Sequence, residues 1–141
     1  MLQIITGYET EFLMKIIFCL ISGFIIGSER ESRKKSAGIS TQCLVIGGSM
    51  IFTFLSLMLN PNAPTQMAGQ VITGVGFLGA GIILRNEKKN KITNLTTAAS
   101  IWFSAAIGMT IGFGWYSIAL LATVYSVTVP RIPHMSSKKP E

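Results

Sequence analysis

Two glutamates, Glu29 and Glu31, are the side chains of this sequence best placed to do chemistry, and Arg30 lies between them. They follow a long apolar run. One interpretation makes them juxtamembrane acids that pair with nearby lysines and arginines. The other turns Glu29 inward, where a partly buried carboxylate could hold a cation or fix loops through a charge-assisted hydrogen bond. Three polar side chains could meet it there: Gln42, Gln70 and Arg85.

Metal binding and catalysis receive little support beyond these acids. Carboxylate, hydroxyl and amide oxygens are the ligands that Mg²⁺ and Ca²⁺ prefer, so Glu29 and Glu31 are the candidate metal ligands. Two acids alone do not define a metal site, and we expect no cofactor. The single histidine, His134, lies in a polar tail, and the chain contains no Asp. A nucleophile such as Thr97 would have no general base. We therefore expect no enzyme.

The distribution of charge indicates a membrane protein. Eleven of the twelve Lys and Arg residues lie in three clusters: Arg30, Arg33, Lys34 and Lys35; Arg85, Lys88, Lys89 and Lys91; Arg131, Lys138 and Lys139. Residues 36–84 and 92–130 between them carry no charge. Only 13% of the 141 residues are charged, against roughly 25% in soluble domains. The net charge of +6 indicates anionic lipid headgroups as its partner and no nucleic acid, because interleaved aromatic residues are missing from the basic clusters.

Each uncharged run is too long for one crossing, which needs about 20 helical residues. The first run breaks at the proline-containing segment 60–64, and the second breaks at Gly112-Phe113-Gly114, before Trp115 and Tyr116 as interface anchors. The sequence therefore predicts an all-α integral membrane fold. Its five transmembrane helices are predicted at about 11–28, 41–59, 67–85, 95–111 and 115–130.

The positions of the basic clusters also predict an orientation. Five crossings place all three clusters on one side, so the N-terminus is expected outside and the C-terminus in the cytoplasm. Residues 1–130 would form the transmembrane domain, and 131–141 a short tail that we expect to be disordered. The first helix should be retained, because its acidic flank is atypical of a signal peptide. The twelfth basic residue, Lys15, should pair with Glu11 and extend outward toward water.

Small and polar residues recur at helical spacing on every predicted helix but the last. The sets are Gly23 and Gly27; Gln42, Ser49, Thr53 and Ser56; Gln70, Gly74, Gly81 and Arg85; Thr73, Gly76 and Ala80; Thr97, Ser100, Ser104 and Gly108. One interpretation is a tightly packed bundle that satisfies its own hydroxyls, and the other is a polar path toward the cytoplasmic loops. We also expect a homo-oligomer, a dimer, through Gly23/Gly27 and Gly76/Ala80.

Four blocks of sequence together resemble the MgtC/SapB family of bacterial membrane proteins. They are Gly-Ser-Glu-Arg-Glu at 27–31, Ala-Gly-Ile-Ser-Thr-Gln at 37–42, the glycine-rich run 70–81, and Asn-Leu-Thr-Thr-Ala-Ala-Ser-Ile-Trp at 94–102. The resemblance implies a plasma (inner) membrane protein tied to adaptation to low magnesium. It implies a regulator of ion homeostasis or membrane energetics, linked in some members to restraint of the F-type ATP synthase.

The resemblance also implies a set of functional positions. Carried over one by one, they are Glu29, Arg30, Glu31, Gly38, Thr41, Gln70, Gly74, Gly76, Gly79, Gly81, Thr96 and Thr97. We add Gln42, Arg85 and Asn94 as candidates. The sequence departs from the family at Gln42, where His is frequent, at Ser40, where Arg is frequent, and at Thr93-Asn94, where Arg-Gly is usual. Longer members carry a C-terminal soluble domain that this chain is expected to lack.

Two functional hypotheses follow from these observations. The first is a non-enzymatic regulator that binds another membrane protein through the small-residue faces of its helices. The second is a small cation transporter or channel, with Glu29 and Glu31 at its cytoplasmic mouth.

Overall fold

The computed structural model describes residues 7–59, 61–86 and 91–132. It contains five α-helices: α1 Glu9–Ser32, α2 Ile39–Leu59, α3 Thr65–Ile82, α4 Leu95–Gly112 and α5 Tyr116–Thr128. A 3₁₀ turn, Val129–Arg131, follows α5 directly. The five predicted helices are therefore confirmed as helices. The rest of the predicted tail, with His134, lies outside the described residues.

Two helix ends differ clearly from the prediction, while the others agree to within about two residues. The first helix continues to Ser32, so Glu29 and Glu31 are helical residues and not part of a loop. The third ends at Ile82, and its predicted extension to 85 is wrong. Strands β1, Leu84–Asn86, and β2, Lys91–Thr93, pair there as an antiparallel hairpin. The extended backbone of Ile83 starts the hairpin, and the Asn94 side chain donates to the freed carbonyl of Ile82 at 3.3 Å.

The outer surface of the described helices is apolar. Helices α1, α2 and α4 are long and apolar enough to cross a bilayer, and Ala68–Ile82 of α3 is a shorter apolar segment. Large apolar side chains such as Phe24, Leu44 and Phe77 point outward, while many buried positions are small or polar. A soluble protein of this size would not expose so much apolar surface. The chain is a membrane protein.

Helices α1, α2 and α4 form the centre of the bundle. Their shared core contains eight buried residues: Cys19, Ile26, Ile46, Met50, Phe54, Ile107, Ile111 and, from α5, Ala119. Helix α3 packs on α4 through a second cluster of Val71, Val75, Ile101 and Ala105. The contact of α3 with α4 leaves another face of α3 open to the surroundings.

Four glycines let these helices approach backbone to backbone. A Cβ at Gly23 would lie 2.7 Å from Cys43 Cα, and one at Gly112 would lie 2.6 Å from Thr53 Cβ. Gly27 likewise faces the Ile39 backbone, and Gly108 faces the Ile46 carbonyl. Small residues play this role in membrane bundles, where van der Waals packing holds helices together. Gly23 and Gly27 thus pack inside one chain, and self-association remains a prediction.

Candidate functional site at one end of the bundle

A buried arginine organises the end of the bundle where α1 finishes. Arg30 is only 3% exposed. Its Nη2 donates to Thr97 Oγ1 at 2.7 Å, and its Nε donates to the Ser36 carbonyl at 2.8 Å. The Ser36 hydroxyl lies 3.3 Å from the same Thr97 oxygen. Arg30 therefore joins the end of α1, the following turn and the first turn of α4, and we call Arg30, Ser36 and Thr97 the Arg30 cluster.

The carboxylate of Glu29 lies on a different side of α1. Its side chain is 5% exposed, and its Oε1 accepts from Arg33 Nη1 at 3.2 Å and lies 3.7 Å from Arg131 Nε. Arg33 Nη1 also donates to the Pro130 carbonyl. These contacts tie α1 to the 3₁₀ turn that follows α5. Of the two interpretations of Glu29, the pairing with nearby basic residues is the one observed. The turn toward Gln42 or Gln70 is not, because two guanidinium groups attract the carboxylate; the side chain of Arg85 lies outside the described part.

Glu31 caps the second helix. Its Oε1 accepts from the Ile39 backbone N–H, the first residue of α2, at 2.9 Å. A carboxylate at a helix N-terminus pairs an otherwise unsatisfied donor and complements the helix dipole. A Cβ at Gly38 would collide with this carboxylate, which gives the glycine a steric role.

The two candidate metal ligands therefore serve different partners. Glu29 and Glu31 are two residues apart on a helix, so they point to different faces. Across the described residues, no group of three or more His, Cys, Asp or Glu side chains is arranged to hold a metal ion. The geometry thus gives a cation no shared carboxylate site at this pair.

A second polar group lies deeper, between α2 and α4. Gln42 is fully buried. Its Nε2 donates to the Ala37 carbonyl at 3.2 Å and lies 3.5 Å from Ser100 Oγ, while its Oε1 accepts from Ser104 Oγ. Ser100 in turn donates to the Thr97 carbonyl at 2.9 Å. We call Gln42, Ser100 and Ser104 the glutamine ladder, and it continues the Arg30 cluster into the bundle.

The inward polar faces predicted for α2 and α4 are confirmed, since Ser49, Thr53, Ser56, Thr97 and Ser104 are all buried. Every buried side-chain nitrogen or oxygen of the described residues has a hydrogen-bond partner. The stripes therefore belong to a packed bundle that satisfies its own polar groups.

The candidate residues of α3 do not join this cluster. Gln70 and Gly74 line an open groove between α2 and α3, with a volume of about 700 Å³. The remaining groove residues are mostly apolar: Leu44, Val45, Gly48, Ser49, Phe52, Val71, Val75 and Leu78. A side chain at Gly74, Gly76 or Gly81 would meet no atom within 4 Å.

Four other candidates have local roles or none that the structure resolves. Gly79 faces α4, where a Cβ would lie 3.6 Å from Ala98 Cβ. Asn94 has a left-handed backbone with φ 65° and bonds the end of α3. Thr41 is half-buried and Thr96 is exposed.

The opposite end of the bundle holds a residue whose role the sequence did not reveal. Lys15 is 2% exposed. Its Nζ donates to the carbonyls of Gly112 at 2.8 Å and Ile111 at 3.2 Å, the last residues of α4. Its predicted pairing with Glu11 is confirmed at 3.2 Å. The predicted outward extension is wrong, because the carbonyls at the negative C-terminal end of α4 attract the ammonium group inward.

Aromatic rings complete the surroundings of this lysine. Lys15 Nζ lies 5.7 Å from the ring centroids of both Phe54 and Tyr116, within reach of a cation–π attraction. One ammonium group thus contacts α1, α2, α4 and α5. The roles of Ser36 and Arg131 were missed as well. The Ser36 hydroxyl contacts Thr97 and Arg131 contacts Glu29, and both of these pairs are distant in sequence.

The sequence that builds this fold and its polar clusters is similar to that of a known family. The model of the MgtC family matches residues 16–135. This chain belongs to the MgtC family. The matched stretch includes the Arg30 cluster, the glutamine ladder and the groove. No solved structure matches the chain.

Several curated relatives align with most of this chain. Protein MgtC of Salmonella typhimurium strain LT2 is 39% identical over 113 residues, which cover 80% of this chain and 48% of the relative. Protein MgtC of Brucella abortus is 41% identical over 116 residues, covering 79% and 48%. The putative magnesium transporter YhiD of Escherichia coli K12 is 41% identical over 134 residues, covering 88% and 61%. The chain thus spans about half the length of these relatives.

Proposed function

We propose that this chain is a non-enzymatic regulator of magnesium homeostasis or membrane energetics that acts by contact with other membrane proteins. The observation that carries the proposal is the closed polar interior. Arg30 and Gln42 are held by hydrogen bonds, and the Glu29 carboxylate is neutralised by Arg33 and Arg131. A relative named as a putative magnesium transporter supports the link to magnesium.

We further propose that all five helices cross the bacterial plasma membrane, with the N-terminus outside and the C-terminus in the cytoplasm. Contacts at the two ends of the bundle support this alternation. Glu31 joins the end of α1 to the start of α2, and Arg30 joins it to the start of α4. Lys15 joins the opposite ends of α1 and α4. The basic clusters then fall on the cytoplasmic side, as the distribution of Lys and Arg in membrane proteins requires.

The groove between α2 and α3 is the surface we assign to the partner. Its glycines admit a close approach of another helix, and its wall is apolar. Helices in lipid associate through such small-residue surfaces.

The competing function is cation transport, which the name of the Escherichia coli relative favours. A transporter would need a carboxylate free to accept the ion. Here Glu29 is engaged by two arginines and Glu31 caps α2, so the geometry supports the regulator better.

Flux measurements in proteoliposomes separate the two functions. We expect Mg²⁺ entry into vesicles carrying the purified chain to equal that into protein-free vesicles, under a magnesium gradient with and without a membrane potential. The Glu29→Gln variant should behave identically, and an ionophore should confirm that the dye responds. Magnesium entry that depends on the chain and is lost in Glu29→Gln would overturn the regulator and establish the transporter.

The groove is tested by a matched pair of substitutions. Gly74→Leu should fill it and reduce recovery of partner proteins crosslinked in native membranes, together with any growth advantage the chain confers in limiting magnesium. Gly69→Leu adds the same side chain on the same helix, at an open position outside the groove lining, and should change neither. Equal losses in both variants would contradict the assignment of the groove.

A further inference from the structure

The end of the bundle that holds the Arg30 cluster also presents exposed cations. The side chains of Arg33 and Arg131 are 39% and 64% exposed, and both reach Oε1 of the buried Glu29. Lys34 and Lys35 are exposed in the turn that follows α1. Two guanidinium groups thus adjoin one carboxylate, with two exposed lysines in the neighbouring turn.

Most donors of the two arginines have no acceptor among the residues that the structure describes. A guanidinium carries five N–H groups. Arg33 uses Nη1 for Glu29 and for the Pro130 carbonyl, and Arg131 uses Nε for Glu29. The other nitrogens, Nε and Nη2 of Arg33 and both Nη of Arg131, make no hydrogen bond to any described residue. These exposed N–H groups can donate hydrogen bonds to an additional anion.

We propose that Arg33 and Arg131 bind the phosphate of an anionic phospholipid headgroup, and that Glu29 competes with this phosphate for the two guanidinium groups. Arginine matches phosphate through planar, paired hydrogen bonds. The ligand is a lipid, because both arginines flank the ends of apolar helices, where basic pockets meet headgroups on the cytoplasmic side. This lipid site does not depend on the proposed regulatory function. It rests only on the proposed topology, which places the basic clusters on the cytoplasmic side.

If Glu29 competes with the phosphate, lipid binding should change in opposite directions when a guanidinium group is removed and when the carboxylate is removed. Arg131→Gln and Arg33→Gln each remove one cation, and each should weaken binding about fivefold. Glu29→Gln leaves both guanidinium groups without a carboxylate, so binding should tighten. An ordinary structural ion pair predicts no gain for that variant. Because the Arg131 side chain is exposed, Arg131→Gln should not disturb folding, and it tests the site even if Glu29→Gln folds poorly.

The test is a lipid titration of the full chain in a neutral detergent, with bound lipid counted by native mass spectrometry. Short-chain phosphatidylglycerol is the probe, and phosphatidylcholine of equal chain length is the neutral comparison. Two variants control for net charge: Lys88→Gln matches the arginine variants, and Glu87→Gln matches Glu29→Gln. Circular dichroism verifies the helical content of every variant.

Preferential binding of phosphatidylglycerol that falls clearly more in Arg131→Gln than in Lys88→Gln would support the site, and equal losses in the two variants would contradict it. Unchanged binding in Arg131→Gln, or weaker binding in a folded Glu29→Gln variant, would overturn it. Inorganic phosphate at millimolar concentration should not displace the lipid. Full displacement by inorganic phosphate would show that a free phosphate, and not a headgroup, is the ligand.

Discussion

Replacing Lys15 with methionine should destabilise the folded chain by about 3 kcal/mol, within the range for breaking buried charged contacts. Methionine keeps an unbranched apolar stem but removes the ammonium group. The Gly112 carbonyl would then lose the ammonium donor, the Ile111 carbonyl would keep only the Gly114 N–H, and two aromatic rings would face no cation. Unpaired carbonyls in an apolar environment are costly, since water cannot replace the lost partner.

The loss should appear as a lower midpoint in denaturing-detergent unfolding, followed by circular dichroism. Lys15→Arg, which retains the charge, should recover part of it. Glu11→Gln is the matched control for the other half of the ion pair. Since the Glu11 side chain is 50% exposed, this control should cost much less. A Lys15→Met variant as stable as the parent would show that the α4 carbonyls do not need the ammonium group.

The second large effect is expected at Gly108, where α2 and α4 touch. Gly108→Ala should cost about 3 kcal/mol, the upper end for overpacking a close-packed interior. The added methyl group would collide with the Ile46 carbonyl and lie 2.9 Å from Ser49 Cβ. The contacted atoms include backbone, so they cannot move away without separating the helices.

Gly47→Ala provides the comparison for this substitution. It lies in α2, where an added Cβ meets no atom within 4 Å, and alanine is the better helix former by about 1 kcal/mol. This variant should therefore unfold at the same midpoint or slightly above the parent. If the two alanine variants shift the midpoint equally, the close crossing at Gly108 does not contribute to stability.

Sequence reasoning succeeded where the information is local and periodic. The runs without charge predict five helices, and spacing along α2 and α4 places Gln42 and Ser104 on inward faces. Periodicity could not predict that α3 ends at Ile82, because strand pairing from Leu84 onward replaces the last predicted helical turn. Backbone pairing of this kind leaves no periodic pattern in so short a segment.

The partners of the charged residues required three-dimensional information. Glu11 lies one turn from Lys15 and was predicted, but the Gly112 carbonyl lies 97 positions away. Glu29 is adjacent in space to Arg131 only because α5 returns alongside α1. Residues of the glycine-rich α3 were expected near the same site, and the structure instead places Gln70 and Gly74 in the groove.

The polar contacts at the two ends of the bundle connect four of the five helices and leave α3 outside this set. Lys15 fixes α1, α2, α4 and α5 to one another at one end, and Arg30, Glu29 and Glu31 fix them at the other. Within the described residues, no hydrogen bond or ion pair of these four residues reaches α3, which packs on α4 and α2 mainly through apolar side chains. Those four helices therefore form a frame, and α3 is attached to it mainly by apolar packing. A tilt of α3 would change the width of the groove without breaking any contact of the frame.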